Sequence, residues 1–160
     1  MTGSRAFHPA ALRHRVLIVD DEERIRLVLA RILRARGIAA DAVADGADAV
    51  ARTVSGSYDL VILDLLMPGQ DGFSALREIM RQRPDQAVLV LSCLSDPESK
   101  MASLGLGADD YVPKPFHVGE LVARVQARLR AAARPGRGRS DRRRDGESGC
   151  KGRSHDRAVP

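Results

Sequence analysis

Leu60-Val61-Ile62-Leu63-Asp64-Leu65-Leu66-Met67-Pro68-Gly69 reads as a buried strand that ends on an acid and then turns. Four consecutive apolar residues, two of them β-branched, suit a strand covered on both faces, as in a parallel sheet flanked by helices. Asp64 closes that run and Pro68-Gly69 opens a turn. Ligands and chemistry collect at the carboxyl ends of strands in open α/β sheets. Asp64 is thus placed as a functional carboxylate rather than a core residue. Two other segments end alike: Val16-Leu17-Ile18-Val19 runs into Asp20-Asp21, and Tyr111-Val112-Pro113 is followed by Lys114.

Around these runs, short apolar stretches alternate with helical patterns, which predicts a βα repeat and a parallel sheet. Strands are expected at 16–19, near 39–43, and at 59–63, 87–91 and 111–112. Helices are expected over 22–36, 46–54, 73–81, 97–106 and 118–133. In the first helix Ile25, Val28, Leu29, Ile32 and Leu33 share one face, and Gly37 suits a left-handed cap. In the last, Leu121, Val122, Val125 and Leu129 face inward. Pro97 fits the first turn of its helix, and Pro84 stands just beyond the end of another. The expected fold is a flavodoxin-like (CheY-like) doubly wound sheet of five parallel strands, order 2-1-3-4-5, with helices on both faces. That order makes strands 1 and 3 neighbours, so Asp20, Asp21 and Asp64 converge.

The 160-residue chain carries a net charge of +5. Residues 134–160 hold nine Lys/Arg and four Asp/Glu, whereas residues 1–133 hold seventeen of each sign. The excess basicity therefore sits in the tail, and the globular part is not a basic binder. Three segments are expected: a disordered lead-in over 1–12, a domain over 13–133, and a basic tail over 134–160 too polar to fold. No stretch approaches the length of a membrane span, and the start lacks the apolar centre of a secretory signal. Cys93 and Cys150 lie far apart in unlike surroundings, so reduced thiols and a cytoplasmic location are expected.

Three carboxylates brought together repel one another, and a hard divalent cation relieves that cost. The crevice is expected to hold Mg²⁺ on Asp20, Asp21 and Asp64, with the backbone carbonyl of Leu66 as a further ligand. Asp64 can also act as a nucleophile and take a phosphoryl group as an acyl phosphate, with Lys114 and the hydroxyl of Ser92 aimed at its oxygens. Asp20-Asp21 would equally suit an N-cap pair for the first helix. His8, His14, His117 and His155 lack ligand spacing, and no phosphate-binding Gly-x-x-x-x-Gly-Lys loop exists. Haloacid-dehalogenase-type phosphatases use a similar strand-end Asp but need a second Asp two residues later, where Leu66 stands here.

Asp20-Asp21, Asp64 with Met67-Pro68-Gly69 and Asp71-Gly72, Ser92, Gly107-Ala108-Asp109-Asp110-Tyr111 and Lys114-Pro115-Phe116 occur in order and with compatible spacing. This set resembles the receiver domain of bacterial two-component response regulators, over about residues 13–133. The resemblance implies that a sensor histidine kinase phosphorylates Asp64. It also implies Mg²⁺-dependent self-phosphorylation and self-dephosphorylation rather than enzymatic turnover. Ser92 and Tyr111 would act as a switch that reshapes the surface of helix 4, strand 5 and helix 5. Ser92 stands for the commoner Thr. Cys93 replaces a small Ala or Gly and is expected to be a packed residue rather than a redox sensor. Leu66 and Leu94 flank the path of an attacking water without offering it a hydrogen bond, which predicts a long-lived acyl phosphate.

Phe116, the run Glu120-Leu121-Val122-Ala123-Arg124, and Arg128 resemble the OmpR/PhoB branch, whose receivers dimerise through that same surface. Its cross-chain pairs are matched here by Lys100 with Glu120 and Asp110 with Arg124. A third pair is lost to Gly105 and Gln126, so a weakened, phosphorylation-dependent homodimer is expected. The branch continues into a winged-helix DNA-binding domain that residues 134–160 are too short to form. One reading is a stand-alone receiver working through protein contacts. The other is a truncated transcription regulator, whose Arg-rich tail could touch nucleic acid non-specifically.

Overall fold

A computed structural model describes residues 13–133, so the expected lead-in and tail lie outside the described residues. Five parallel strands form the sheet: β1 (His14–Val19), β2 (Ile38–Val43), β3 (Leu60–Leu63), β4 (Val88–Ser92) and β5 (Asp110–Pro113), in the order β2-β1-β3-β4-β5. Five helices connect and follow them: α1 (Glu23–Arg34), α2 (Gly46–Ser55), α3 (Gly72–Gln82), α4 (Pro97–Gly105) and α5 (Val118–Ala132). The flavodoxin-like, order 2-1-3-4-5 expectation holds, with element ends shifted by one or two residues.

The apolar runs are continuous because both faces of the sheet are covered. Alternation then splits each run between two cores. Val16 and Ile18 of β1, Ile62 of β3, and Leu89 and Leu91 of β4 pack with Leu29 and Leu33 of α1 and Leu121, Val125 and Leu129 of α5. Their neighbours Leu17, Val19, Val61, Leu63, Val88 and Val90 face Ala49 of α2 and Leu76 and Ile79 of α3. The five-strand carboxyl edge is thereby held from both sides.

Register decides what meets at that edge. Val19 of β1 lies opposite Leu63 of β3, so the next residues, Asp20 and Asp64, emerge side by side. The Asp64 N–H donates to the Val19 carbonyl at 2.9 Å, and the Lys114 N–H donates to the Ser92 carbonyl at 2.8 Å. These bonds tie β3 to β1 and β5 to β4 at their carboxyl ends.

Three details depart from expectation. Beyond β3 the chain forms a two-residue ladder, Leu66–Met67 against Gln70–Asp71, which turns at Pro68-Gly69 with Gly69 at φ +72°. Asp20-Asp21 does not cap α1: Glu22 is the N-cap residue and makes no side-chain cap bond, while Asp20 Oδ1 accepts the Glu22 N–H at 2.9 Å one turn earlier. Cys93 is exposed rather than packed, because the chain leaves the sheet at Ser92 and Cys93 is the first residue of the loop beyond β4. Gly37, at φ +75°, takes the expected left-handed conformation after α1. Among the described residues no helix is long and apolar enough to cross a membrane.

Candidate functional site

The crevice at the carboxyl edge collects side chains from β1, β3 and β5. Asp20 and Asp64 are 2 % and 4 % exposed, and Asp21, the next residue, is open to solvent. One carboxylate oxygen from each of the three lies within 4.8 Å of the others. Lys114 Nζ bridges the two buried acids, donating to Asp20 Oδ2 at 2.6 Å and to Asp64 Oδ2 at 3.0 Å. The remaining oxygens are engaged locally, with Asp64 Oδ1 accepting the Leu66 N–H at 2.9 Å.

Two buried carboxylates this close are tolerated because a cation stands between them. Burial pushes the Lys114 ammonium toward neutrality, but the hydrogen bonds and charges of Asp20 and Asp64 outweigh it and raise its pKa above the ordinary lysine value. Lys114 is therefore charged throughout the physiological range. Three carboxylates and one ammonium leave a formal charge of −2 in the crevice. The donor set is oxygen only, with no imidazole or thiolate, which suits a hard divalent cation.

Ser92 ends β4 fully buried, and its Oγ accepts the Leu94 N–H at 3.4 Å. The Tyr111 ring is also buried, and its hydroxyl donates to the Leu94 carbonyl. Burial raises the Tyr111 phenol pKa, against a lowering contribution from the Ser92 hydroxyl. Ser92, Leu94 and Tyr111 thus form one contact chain at the end of β4, with the ring buried. Leu66 is 47 % exposed, and Leu94 is half-buried.

Arg26 escaped the sequence reading, and Asp71-Gly72 entered it only as part of the resemblance, without a role. Arg26, one turn into α1, places Nη1 at 2.8 Å from the Asp20 carbonyl and 2.9 Å from the Asp21 carbonyl. It clips the acidic loop to the helix through its backbone, leaving the carboxylates free for other partners. Gly72 opens α3 directly beneath Asp64-Leu65, where a Cβ would lie 2.4 Å from the Leu65 Cα. The N-cap carboxylate of α3, Asp71, accepts the Phe73 N–H at 3.0 Å and fixes that approach.

The proposed dimer residues lie away from the crevice. Lys100 is exposed on α4. Arg124 of α5 reaches Asp110 at 2.9 Å and Glu120 at 2.9 Å, both within its own chain.

Comparison with known proteins agrees with this geometry. Residues 16–126 match the response regulator receiver domain family. The transcriptional regulatory protein TcrA of Mycobacterium tuberculosis is 43 % identical over 121 residues, covering 76 % of this chain and 48 % of that protein. ResD of Bacillus subtilis, also a transcriptional regulatory protein, is 38 % identical over 119 residues, 74 % of this chain and 49 % of its own. The chain thus spans about half the length of these curated relatives. Among solved structures, the receiver domain of Francisella response regulator 1452 superposes with a TM-score of 0.70 at 32 % identity, covering 74 % of this chain and 98 % of that one. The response regulator TrrA of Thermotoga maritima, solved in complex with Mg²⁺ and BeF, gives a TM-score of 0.66 at 37 % identity, covering 72 % and 98 %.

Proposed function

The chain belongs to the response regulator receiver domain family, and from that premise we propose that it takes a phosphoryl group onto Asp64 from a sensor histidine kinase. The observation that carries this reading is the Lys114 bridge, which joins acids 94 and 50 residues away in sequence at one strand edge. An Asp64 carboxylate oxygen attacks the phosphorus of a phosphohistidine. The new P–O bond forms as the P–N bond breaks, and the electron pair leaves with the imidazole. The Lys114 ammonium and the Ser92 hydroxyl meet the charge on the phosphoryl oxygens, which is where positioned donors act most strongly. Asp20, Asp21 and Asp64, with the Leu66 carbonyl, are the residues that would hold Mg²⁺, and the ion would supply further positive charge to the same oxygens. Phosphorylation by a small phosphodonor, read by intact mass, tests this proposal.

Ser92 and Tyr111 then carry the signal toward α4, β5 and α5. We place the exchange in the cytoplasm, where an exposed thiol such as Cys93 stays reduced. A homodimer across the α4-β5-α5 face would use Lys100, Asp110, Glu120 and Arg124. Arg124 already satisfies both acids within its own chain, so a cross-chain pair exchanges one partner for another and gains little. Transcription control by the curated relatives favours the same kind of output, through elements other than residues 13–133.

Arg26 should matter to metal binding rather than to folding. In Arg26→Ala the Asp20 and Asp21 carbonyls lose one charged donor, worth about 1 kcal/mol at this partly exposed position. Mg²⁺ titration by calorimetry is expected to show roughly fivefold weaker binding. Unchanged affinity would remove the loop-clipping role.

Leu66 should govern how long the acyl phosphate lasts. An apolar residue there cannot hydrogen-bond an incoming water, so hydrolysis in the native chain is expected to be slow. Leu66→Asn offers that water a partner and is expected to speed hydrolysis about tenfold, equal to about 1.4 kcal/mol of barrier. Loss of the phosphoryl mass over time measures both, and a native half-life of seconds would contradict the proposal.

A further inference from the structure

At the opposite, amino edge of the sheet lies a cavity of about 360 Å³ between the start of β1, the end of α1 and the last turns of α5. Three guanidinium groups line it from three separate elements: Arg13 ahead of β1, Arg36 just past α1, and Arg130 in the last turn of α5. His14 and Gln126 add further polar groups, and among the described residues no acid lines the cavity. We propose that this cavity binds a small, multiply charged phosphate compound, of the size and charge of a polyphosphate or nucleotide.

Charge makes the first argument. Residues 1–133 carry equal numbers of basic and acidic side chains, so three arginines around one acid-free cavity are a local concentration, not a sample of a basic surface. Among the described residues, Arg13, Arg36 and Arg130 make no ion pair, and the Arg36 guanidinium donates to the Ile32 carbonyl at 3.1 Å. Asp59 lies 3.7 Å from His14 Nδ1. Guanidinium groups bind phosphate oxygens in a bidentate fork, more selectively than an ammonium does. Three of them match a ligand with several phosphoryl charges better than one with a single charge.

Shape makes the second. The floor is Ile38 and Leu129, 5 % and 2 % exposed, so the cavity is backed by the packed core and cannot collapse. Gly37 also lines the cavity, at φ +75°, with no atom within 4 Å of where its Cβ would be. The volume falls in the range of small-molecule sites, roughly 300–1,000 Å³. The six-residue length of β1 separates the cavity from the Asp20–Asp64 crevice by about 20 Å. The two sites can therefore be filled together.

The test is a ¹H–¹⁵N NMR titration of the full chain with inorganic pyrophosphate, and in parallel with ATP and with sulfate, all without divalent metal. Saturable shifts centred on Arg13, Gly37, Gln126 and Arg130 are expected with pyrophosphate and ATP, and weaker ones with sulfate. Tighter ATP binding would identify a nucleotide, and equal binding a polyphosphate group alone; both support the site. Arg13→Gln with Arg130→Gln is expected to weaken binding about tenfold or more, whereas Arg24→Gln with Arg77→Gln, exposed and outside the cavity, should leave it unchanged. Shifts confined to residues 134–160, equal weakening in both double variants, or sulfate binding as tightly as pyrophosphate would overturn the proposal.

Discussion

Lys114→Met is expected to cost the metal-free protein about 3 kcal/mol of stability and to slow phosphorylation of Asp64 at least a hundredfold. Lys114 is 12 % exposed and lies between two carboxylates that are almost fully buried. Methionine keeps the unbranched stem and removes the charge, which leaves Asp20 and Asp64 facing each other without a cation between them. Losing one member of a buried ion pair typically costs about 3–5 kcal/mol; the lower end applies because Asp21 and the mouth of the crevice are wet. For a domain of this size that equals a fall in Tm of roughly 10–15 °C. Mg²⁺ should restore more stability to Lys114→Met than to the native chain, since it replaces the missing positive charge. Scanning calorimetry with and without Mg²⁺ separates the two effects, and a loss under about 1 kcal/mol would mean the bridge is not a structural element. The pH dependence follows from the sign of the Lys114 shift. Its folded pKa is raised, so its contribution is fully present below the ordinary lysine value near 10.5 and disappears as pH climbs through the raised folded value.

Gly72→Ala is expected to cost about 2–3 kcal/mol and to impair phosphorylation as well. The new Cβ would lie 2.4 Å from the Leu65 Cα, 2.6 Å from the Leu65 oxygen and 2.8 Å from the Asp64 oxygen. All three are backbone atoms, so no side chain can swing aside and either α3 or the Asp64 loop must move. The comparison is Gly69→Ala in the adjoining turn, where a Cβ meets nothing within 4 Å and the penalty comes only from φ +72°. That change should cost about 1–2 kcal/mol and leave the acids in place. Denaturant melts and phosphorylation rates on both variants check the contrast. Normal phosphorylation in Gly72→Ala would mean that the helix, not the loop, gives way.

The fold was legible because strands covered on both faces read as unbroken apolar runs, and the helices between them carry a clear 3.6-residue period. The three strand-end acids and Lys114 were legible for the same reason, since each follows directly on such a run. The Leu66–Met67 ladder with Gln70–Asp71 was missed because two residues carry no period. Arg26 was missed because an arginine on a helix reads as solvated, and its bonds go to backbone carbonyls that carry no residue signature. Cys93 was misjudged on volume alone: its exposure is set by where the strand stops. Asp110 was paired with Arg124 and Glu120 with Lys100 across two chains, whereas Arg124 meets both acids within its own chain, because residue types do not distinguish a pair within one chain from a pair across two. The amino-edge cavity could not be read at all, because Arg13, Arg36 and Arg130 are brought together only by the fold.

The most direct test of the central claim is intact mass spectrometry of the native chain and of Asp64→Ala after incubation with acetyl phosphate and Mg²⁺. The native chain is expected to gain a single phosphoryl group that is absent without Mg²⁺, and Asp64→Ala is expected to gain none. A phosphoryl adduct on both proteins, or on neither, would contradict the assignment of Asp64 as the phosphoacceptor.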